Sequence, residues 1–243
     1  MRPEGLRRPV LLVAHGSRDP RAAATTRALA RTVAAVSPGL DVRVAFLELA
    51  EPRPAEVLRA MPAGAVVVPL LLTRAYHGAV DLPAQVAGFD CTITDTLGSV
   101  SVPLLEALTR RLPAAPGGFD ALVLAAAGTR VDAARATVRE VAAALGERLG
   151  LPCRVAYAAG ATPGGAEAVT ALRNEGAQRV GVASYFLAPG RLYDTVTRSA
   201  LGAGAVVAAP PLGASWPIAE LILSQVDSAT THSRIAAADV WGG

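Results

Sequence analysis

Three side chains in this sequence are suited to holding a metal ion and recur in matching local settings: His15, Glu48 and His77. Each lies just past a short run that reads as a β-strand, at Val10–Ala14, Asp41–Leu47 and Ala65–Leu72. Two imidazoles and a carboxylate make a donor set for Fe(II), Co(II), Ni(II) or Zn(II), and leave coordination positions open for a substrate. Taken singly, each has a plainer reading. A histidine at a strand end is more often a hydrogen-bonded structural residue, Glu48 a solvated loop carboxylate, and His77 a surface side chain. The case rests on the three together. The remaining histidine, His232, lies in a polar C-terminal segment and is assigned no role.

The elements that must position the trio alternate in type. A helix runs from Pro20 to about Val36 and ends at Ser37-Pro38-Gly39. The strand Asp41–Leu47 follows, then a short helix Pro54–Ala60. The strand Ala65–Leu72 is apolar on both faces, as in a parallel sheet. Asp81–Val86 reads as helix, Thr92–Thr96 as strand and Val102–Leu112 as helix. Strands alternating with helices specify an α/β fold.

The segment Pro113–Gly118 (PAAPGG) is a linker, and after it the pattern restarts. Strands are expected at Ala121–Ala125, Arg154–Tyr157, Arg179–Tyr185 and Val206–Ala209. Helices are expected at Asp132–Leu149, Glu167–Asn174 and Ile218–Val226. The period, about 111–115 residues, fits a duplicated domain and not a solenoid. The residues repeat too: His15-Gly16-Ser17-Arg18 aligns with Ala127-Gly128-Thr129-Arg130, and Val42–Phe46 with Cys153–Tyr157. Domains are therefore expected over residues 1–115 and 116–227, with 228–243 as a flexible tail.

Comparison of the two copies isolates the trio. His15 is matched by Ala127, Glu48 by about Ala159, and His77 by about Arg191–Leu192. The three ligand types disappear as a set while glycine, hydroxyl and arginine neighbours persist, as expected of residues that work as a set. In open parallel sheets, ligands bind beyond the carboxyl ends of the strands. Three strand ends can deliver the trio to one crevice there.

Composition limits what the site can serve. With 243 residues and 52% hydrophobic content, the chain is neither disordered nor too small to bury a core. Its apolar runs stop short of the roughly 18–20 residues of a membrane span. Aromatics are 4%, against a stacking nucleic-acid binder. The net charge is +3 and all 23 basic residues are arginine, scattered among carboxylates without a basic arm or polybasic patch. The sequence thus points away from nucleic acid and membrane, while an excess of arginine suits a substrate with several carboxylates. Cys91 and Cys153 are too few for a disulfide scaffold or a CxxC knuckle. The basic opening MRPEGLRRP lacks an apolar signal region, and a cytoplasmic protein is expected.

The motifs around the trio carry a family resemblance. Val13-Ala14-His15-Gly16-Ser17-Arg18-Asp19-Pro20-Arg21 resembles the opening of the CbiX/SirB sirohydrochlorin chelatases, the class II tetrapyrrole chelatases. Phe46–Pro52 is similar to their second-strand motif. Pro69–His77, followed by Asp81-Leu82-Pro83, is similar to their third. Tyr185–Gly190 resembles the C-terminal half of the long form, and the likeness covers about residues 9–226. It implies two tandem chelatase-like, flavodoxin-like domains, each a parallel sheet with helices on both faces, facing across a cleft. It also implies insertion of Co(II) or Fe(II) into sirohydrochlorin, in cobalamin or sirohaem synthesis, with His15, Glu48 and His77 as the metal ligands. Short-form members pair as homodimers, so a duplicated chain is expected to act as a monomer. The sequence has neither the His-rich tracts nor the Cys-rich cluster of some long-form relatives. No permanent cofactor is expected, the divalent metal being a substrate.

Metal insertion requires a held metal, a positioned macrocycle and an acceptor for two pyrrole protons. Neutral imidazoles at His15 and His77 are expected to hold the ion and, once freed, to take up protons. Glu48 adds charge that favours the dication. Only neutral imidazole ligates a metal, so activity is expected to fall in acid. Arg18, Arg21, Arg53 and Arg74 lie in or beside the ligand loops and are candidates to pair with macrocycle carboxylates. Gly16, Ser17 and the run Thr73, Arg74, Ala75 and Tyr76 are expected to line the pocket. The alternatives are a non-catalytic tetrapyrrole or metal carrier and a chelatase for another metal such as Ni(II). A histidine phosphatase is disfavoured, since Ala14 stands where that chemistry wants an arginine.

Overall fold

The computed structural model describes residues 8–73 and 81–240. The first half forms β1 (Val10–Ala14), α1 (Pro20–Val36), β2 (Val42–Phe46), α2 (Pro54–Arg59), β3 (Ala65–Leu70), α3 (Leu82–Val86), β4 (Cys91–Ile93) and α4 (Val102–Arg111). The second half repeats the order as β5 (Ala121–Ala126), α5 (Asp132–Leu149), β6 (Cys153–Tyr157), α6 (Gly165–Asn174), β7 (Val180–Tyr185), α7 (Arg191–Gly202), β8 (Val207–Ala208) and α8 (Trp216–Val240).

Each half builds a four-stranded parallel sheet, in the orders β2-β1-β3-β4 and β6-β5-β7-β8. The central strands are apolar on both faces because helices cover both. β1 is almost wholly buried, while β3, β5 and β7 are buried throughout. Pro69 sits inside β3 without breaking it. Val66 bonds toward β1 and Val67 toward the β4 side, so the alternating backbone turns Pro69 toward β4. The β4 ladder ends opposite Val67, and no partner there needs the missing N–H. The order reverses between β1 and β3, and the crevice at their carboxyl ends is the expected place for a ligand.

The two halves share one interior. On the outer faces, α2 and α3 cover the first sheet, and α6 and α7 the second, over separate small cores. Between the sheets lies a layer of α1, α8, α4 and α5 packed in that order. Two of these helices are exchanged. α4 follows the first sheet in sequence but packs on β7 and α5 of the second. α8 follows the second sheet but packs on β3 and α1 of the first. Leu104 and Leu108 of α4 and Ile218 and Ile222 of α8 therefore belong to a single core with strands of both sheets. The expected boundary at residues 115/116 divides the repeat but not the packing units. Buried Tyr185 adds a polar tie: its hydroxyl lies 2.7 Å from the carbonyl oxygens of both Leu72 and Gly98 in the other half.

The chain past Ser228 continues α8 to Val240. Helix α7 has no counterpart among the expected elements, because its β-branched Thr195-Val196-Thr197 run reads poorly as helix. Burial of Val196, Thr197 and Ala200 against α6 and β5 overrides that propensity. Among the described residues, no helix is long and apolar enough to cross a membrane.

A fragment ending at Gly118 is expected to lack a cooperative urea transition, because α8 is missing from its inner face. Mixing it with the complementary fragment is expected to restore the transition, read by circular dichroism. Tyr185→Phe, which strips the two carbonyls of their shared donor, is expected to cost about 1–3 kcal/mol in the same assay.

Candidate metal and macrocycle site

His15 follows β1 directly, and Glu48 lies two residues past β2, the neighbouring strand. The backbone between them is tied by a hydrogen bond from Glu48 N to His15 O at 2.9 Å. Gly16 makes that approach possible. Its φ is +98°, and a β-carbon there would stand 1.7 Å from the Glu48 carbonyl oxygen. The outcome is a side-chain pair with His15 Nε2 3.4 Å from Glu48 Oε1, at side-chain exposures of 35% and 47%. So open a pair contributes about 0–1 kcal/mol to folding, and a solvent-borne ion can reach it.

The ring orientation favours metal binding. His15 Nδ1 lies 3.2 Å from the Gly16 carbonyl oxygen. A carbonyl only accepts, so this contact puts a proton on Nδ1 and turns Nε2 toward Glu48. In the neutral ring the Nε2 lone pair and the carboxylate would both face an ion placed between them.

The second half reproduces this backbone without the chemistry. Ala159 N donates to Ala127 O at 3.1 Å, as Glu48 N does to His15 O. Gly128 has φ +93° and passes as close to Ala159 O as Gly16 does to Glu48 O. The counterparts of His15 and Glu48 are thus Ala127 and Ala159. Among the described residues, no group of three His, Cys, Asp or Glu side chains forms a metal site. His77, expected as the third ligand, lies outside the described residues, as do Arg74, Ala75 and Tyr76.

Of the pair, His15 lines a cleft between the halves, made of two hollows that share it with Leu70, Ala127, Phe186, Leu187 and Leu192. One, of about 370 Å³, runs past Gly16 and Ser17 toward α1 and the loop before α7. The other, of about 360 Å³, runs past Leu72 and Thr73 toward Gly128 and Thr129. Phe186 and Tyr193 meet edge to face at 5.8 Å and stiffen the far wall. The walls are mainly apolar, as suits a large flat ring, with polar groups at the rim. The second half's wall was not singled out in the sequence as lining, although Tyr185–Gly190 carries a motif.

The arginines divide. Arg21 does not stand free for a carboxylate: it reaches Asp19 at 2.6 Å and Asp194 of the other half at 2.9 Å. Its hydrogen bonds hold the Asp19 carboxyl below the usual carboxylate range, and the two carboxylates raise Arg21 itself. Arg53 caps α2 and donates to the Leu47 carbonyl, so it braces the end of β2 and does not line the cleft. Arg18 is exposed and lines a groove of about 410 Å³ with Arg191 and Arg198, and Ser17 joins that groove to the cleft.

No curated protein matches the sequence. The CbiX family model matches residues 9–114 and again 121–229. Among solved structures, SirB from Bacillus subtilis with Fe3+ superposes with TM-score 0.78 at 20% identity, covering 94% of this chain and 98% of that one. The sirohydrochlorin chelatase SirB from Bacillus subtilis subspecies spizizenii, in complex with cobalt, gives 0.75 at 20% identity, covering 92% and 95%. CbiX, the terminal enzyme of sirohaem biosynthesis in denitrifying bacteria, gives 0.64 at 21% identity, covering 91% and 99%. At these identities the likeness is one of fold.

Gly16→Ala and Gly128→Ala are each expected to cost about 2–4 kcal/mol in urea titrations, since either β-carbon collides with a carbonyl. His15→Ala is expected to stay within about 1 kcal/mol of the parent and to lose Co(II) binding in calorimetry.

Proposed function

The chain belongs to the CbiX family, and on that premise we propose that it inserts a divalent metal ion, Co(II) or Fe(II), into sirohydrochlorin. The observation that carries the reading is the half-exposed His15–Glu48 pair, whose imidazole lines an apolar interlobe cleft. Its loss to Ala127 and Ala159 in the second half, on an unchanged backbone, marks the pair as chemical and not structural. His77 completes the donor set in this reading. The ion arrives as a substrate, is held by His15 Nε2, Glu48 and His77, and passes to the ring nitrogens. Two pyrrole protons leave the macrocycle as the metal enters, and the freed imidazoles and Glu48 accept them.

The remaining assignments follow from the same cleft. The macrocycle lies between the halves with its faces on Leu70, Phe186, Leu187 and Leu192. Arg18, Arg191 and Arg198 at the mouth, with Arg74, pair with its carboxylates. Both walls belong to one chain, so the protein acts as a monomer. It works in the cytoplasm with no resident cofactor.

An anaerobic absorbance time course with sirohydrochlorin and Co(II), Fe(II) or Ni(II) near pH 8 tests this. Conversion at many turnovers per chain is expected, and His15→Ala and Glu48→Gln are each expected to slow it by about 100-fold or more. Tight macrocycle binding with no rate above background for any metal would overturn the reading and leave a carrier. A rate with Ni(II) alone would overturn the choice of metal.

A further inference from the structure

A second polar groove lies between α5 and the edge strand β6, and Tyr157 lines both it and the cleft. Its volume is about 970 Å³, and its lining includes Arg135 and Arg139 of α5, Arg154 and Tyr157 of β6, and the turn through Thr162. No carboxylate lines it. Arg135 is paired with Asp132 and Arg154 with Glu175. Among the described residues, Arg139 forms no ion pair, and it is exposed.

The Tyr157 hydroxyl is the unusual group. Tyr157 is 5% exposed and its hydroxyl is buried; the neighbouring Arg139 guanidinium can donate to it but cannot accept, so the hydroxyl proton has no acceptor. Buried polar groups are nearly always satisfied, so a donor left over in this way marks a place where an acceptor binds. The guanidiniums of Arg139 and Arg135 are the charges that act on it. Burial raises its pKa and keeps it a neutral donor.

The first half shows what the same positions do when no ligand is served. Strand register makes Phe46 the counterpart of Tyr157. The equal spacing from the start of each helix makes Arg27 the counterpart of Arg139 and Ala23 that of Arg135. There Arg27 is engaged, 5.4 Å from the centre of the Phe46 ring and 3.3 Å from the Glu51 carbonyl oxygen. The second half has added one arginine, released another, and placed a hydroxyl donor beneath both.

We propose that the groove between α5 and β6 is an anion-binding site, in which Arg139, Arg135 and the Tyr157 hydroxyl take a small organic molecule carrying two or more carboxylates or phosphates. Two guanidiniums and a neutral hydroxyl are donors only, the complement of an oxyanion. Arg154 at the rim adds charge for a second anionic group. The proposal uses none of the metal ligands, and its failure leaves the metal-insertion reading untouched.

Calorimetric titration of the full chain with citrate, and separately with pyrophosphate, at low salt tests the site. One-to-one binding with a Kd below about 1 mM is expected for at least one probe, weakening with added salt. The tighter probe assigns carboxylates or phosphates as the preferred group. Arg139→Gln is expected to weaken binding about tenfold or more and Tyr157→Phe about three- to tenfold, while His15→Ala leaves it unchanged. Tyr157→Phe removes an unsatisfied hydroxyl, so without ligand it is expected to be at least as stable as the parent. No saturable heat up to about 10 mM of either probe, or weakening in Arg139→Gln with none in Tyr157→Phe, would overturn the proposal. The latter pattern describes attraction to a charged surface and not a built site.

Discussion

Gly16 passes beneath the Glu48 carbonyl at a separation that admits no β-carbon. Because of that passage, the ends of β1 and β2 close on each other and the His15 and Glu48 side chains emerge side by side. A larger residue would push the two loops apart and separate the imidazole from the carboxylate. The same backbone contact at Gly128 and Ala159 carries two alanine counterparts. Loop geometry is therefore a property of the duplicated fold, and the imidazole and carboxylate are side chains laid on it in one half alone.

The halves divide the work of the cleft. The first brings the polar pair. The second brings an apolar wall, Phe186, Leu187 and Leu192, and carries Asp194, which holds Arg21 at the rim. Tyr185 joins the two from beneath, its hydroxyl bridging the ends of two segments of the first half. The cleft is thus a seam between unlike surfaces, although the backbones that make it are alike.

Much of this was legible in the sequence. Hydrophobic runs located every strand to within a few residues, most cleanly the buried central strands β1, β3, β5 and β7, which are near-continuous apolar blocks. Comparing the copies singled out His15 and Glu48, and the strand order explains why they meet. What could not be read depended on contacts distant in the chain. Nothing local to Arg21 announces Asp194, 173 residues away. Nothing local to Thr195–Thr197 announces the packing that makes α7 a helix. The polar stretch after Ser228 looks unstructured by composition but continues a helix whose buried face lies earlier, at Ile218 and Ile222.

The exchange of α4 and α8 also bears on how the chain is made. A nascent protein leaves the ribosome from its N-terminus, and ordinary domains can fold in that order. Here the first sheet cannot be closed on its inner face until α8, the last element synthesised, has emerged. α4, finished far earlier, has no sheet to cover until β7 exists. The first half therefore keeps the part of its inner face that α1 does not cover open until α8 is made, and the two halves reach their native state together.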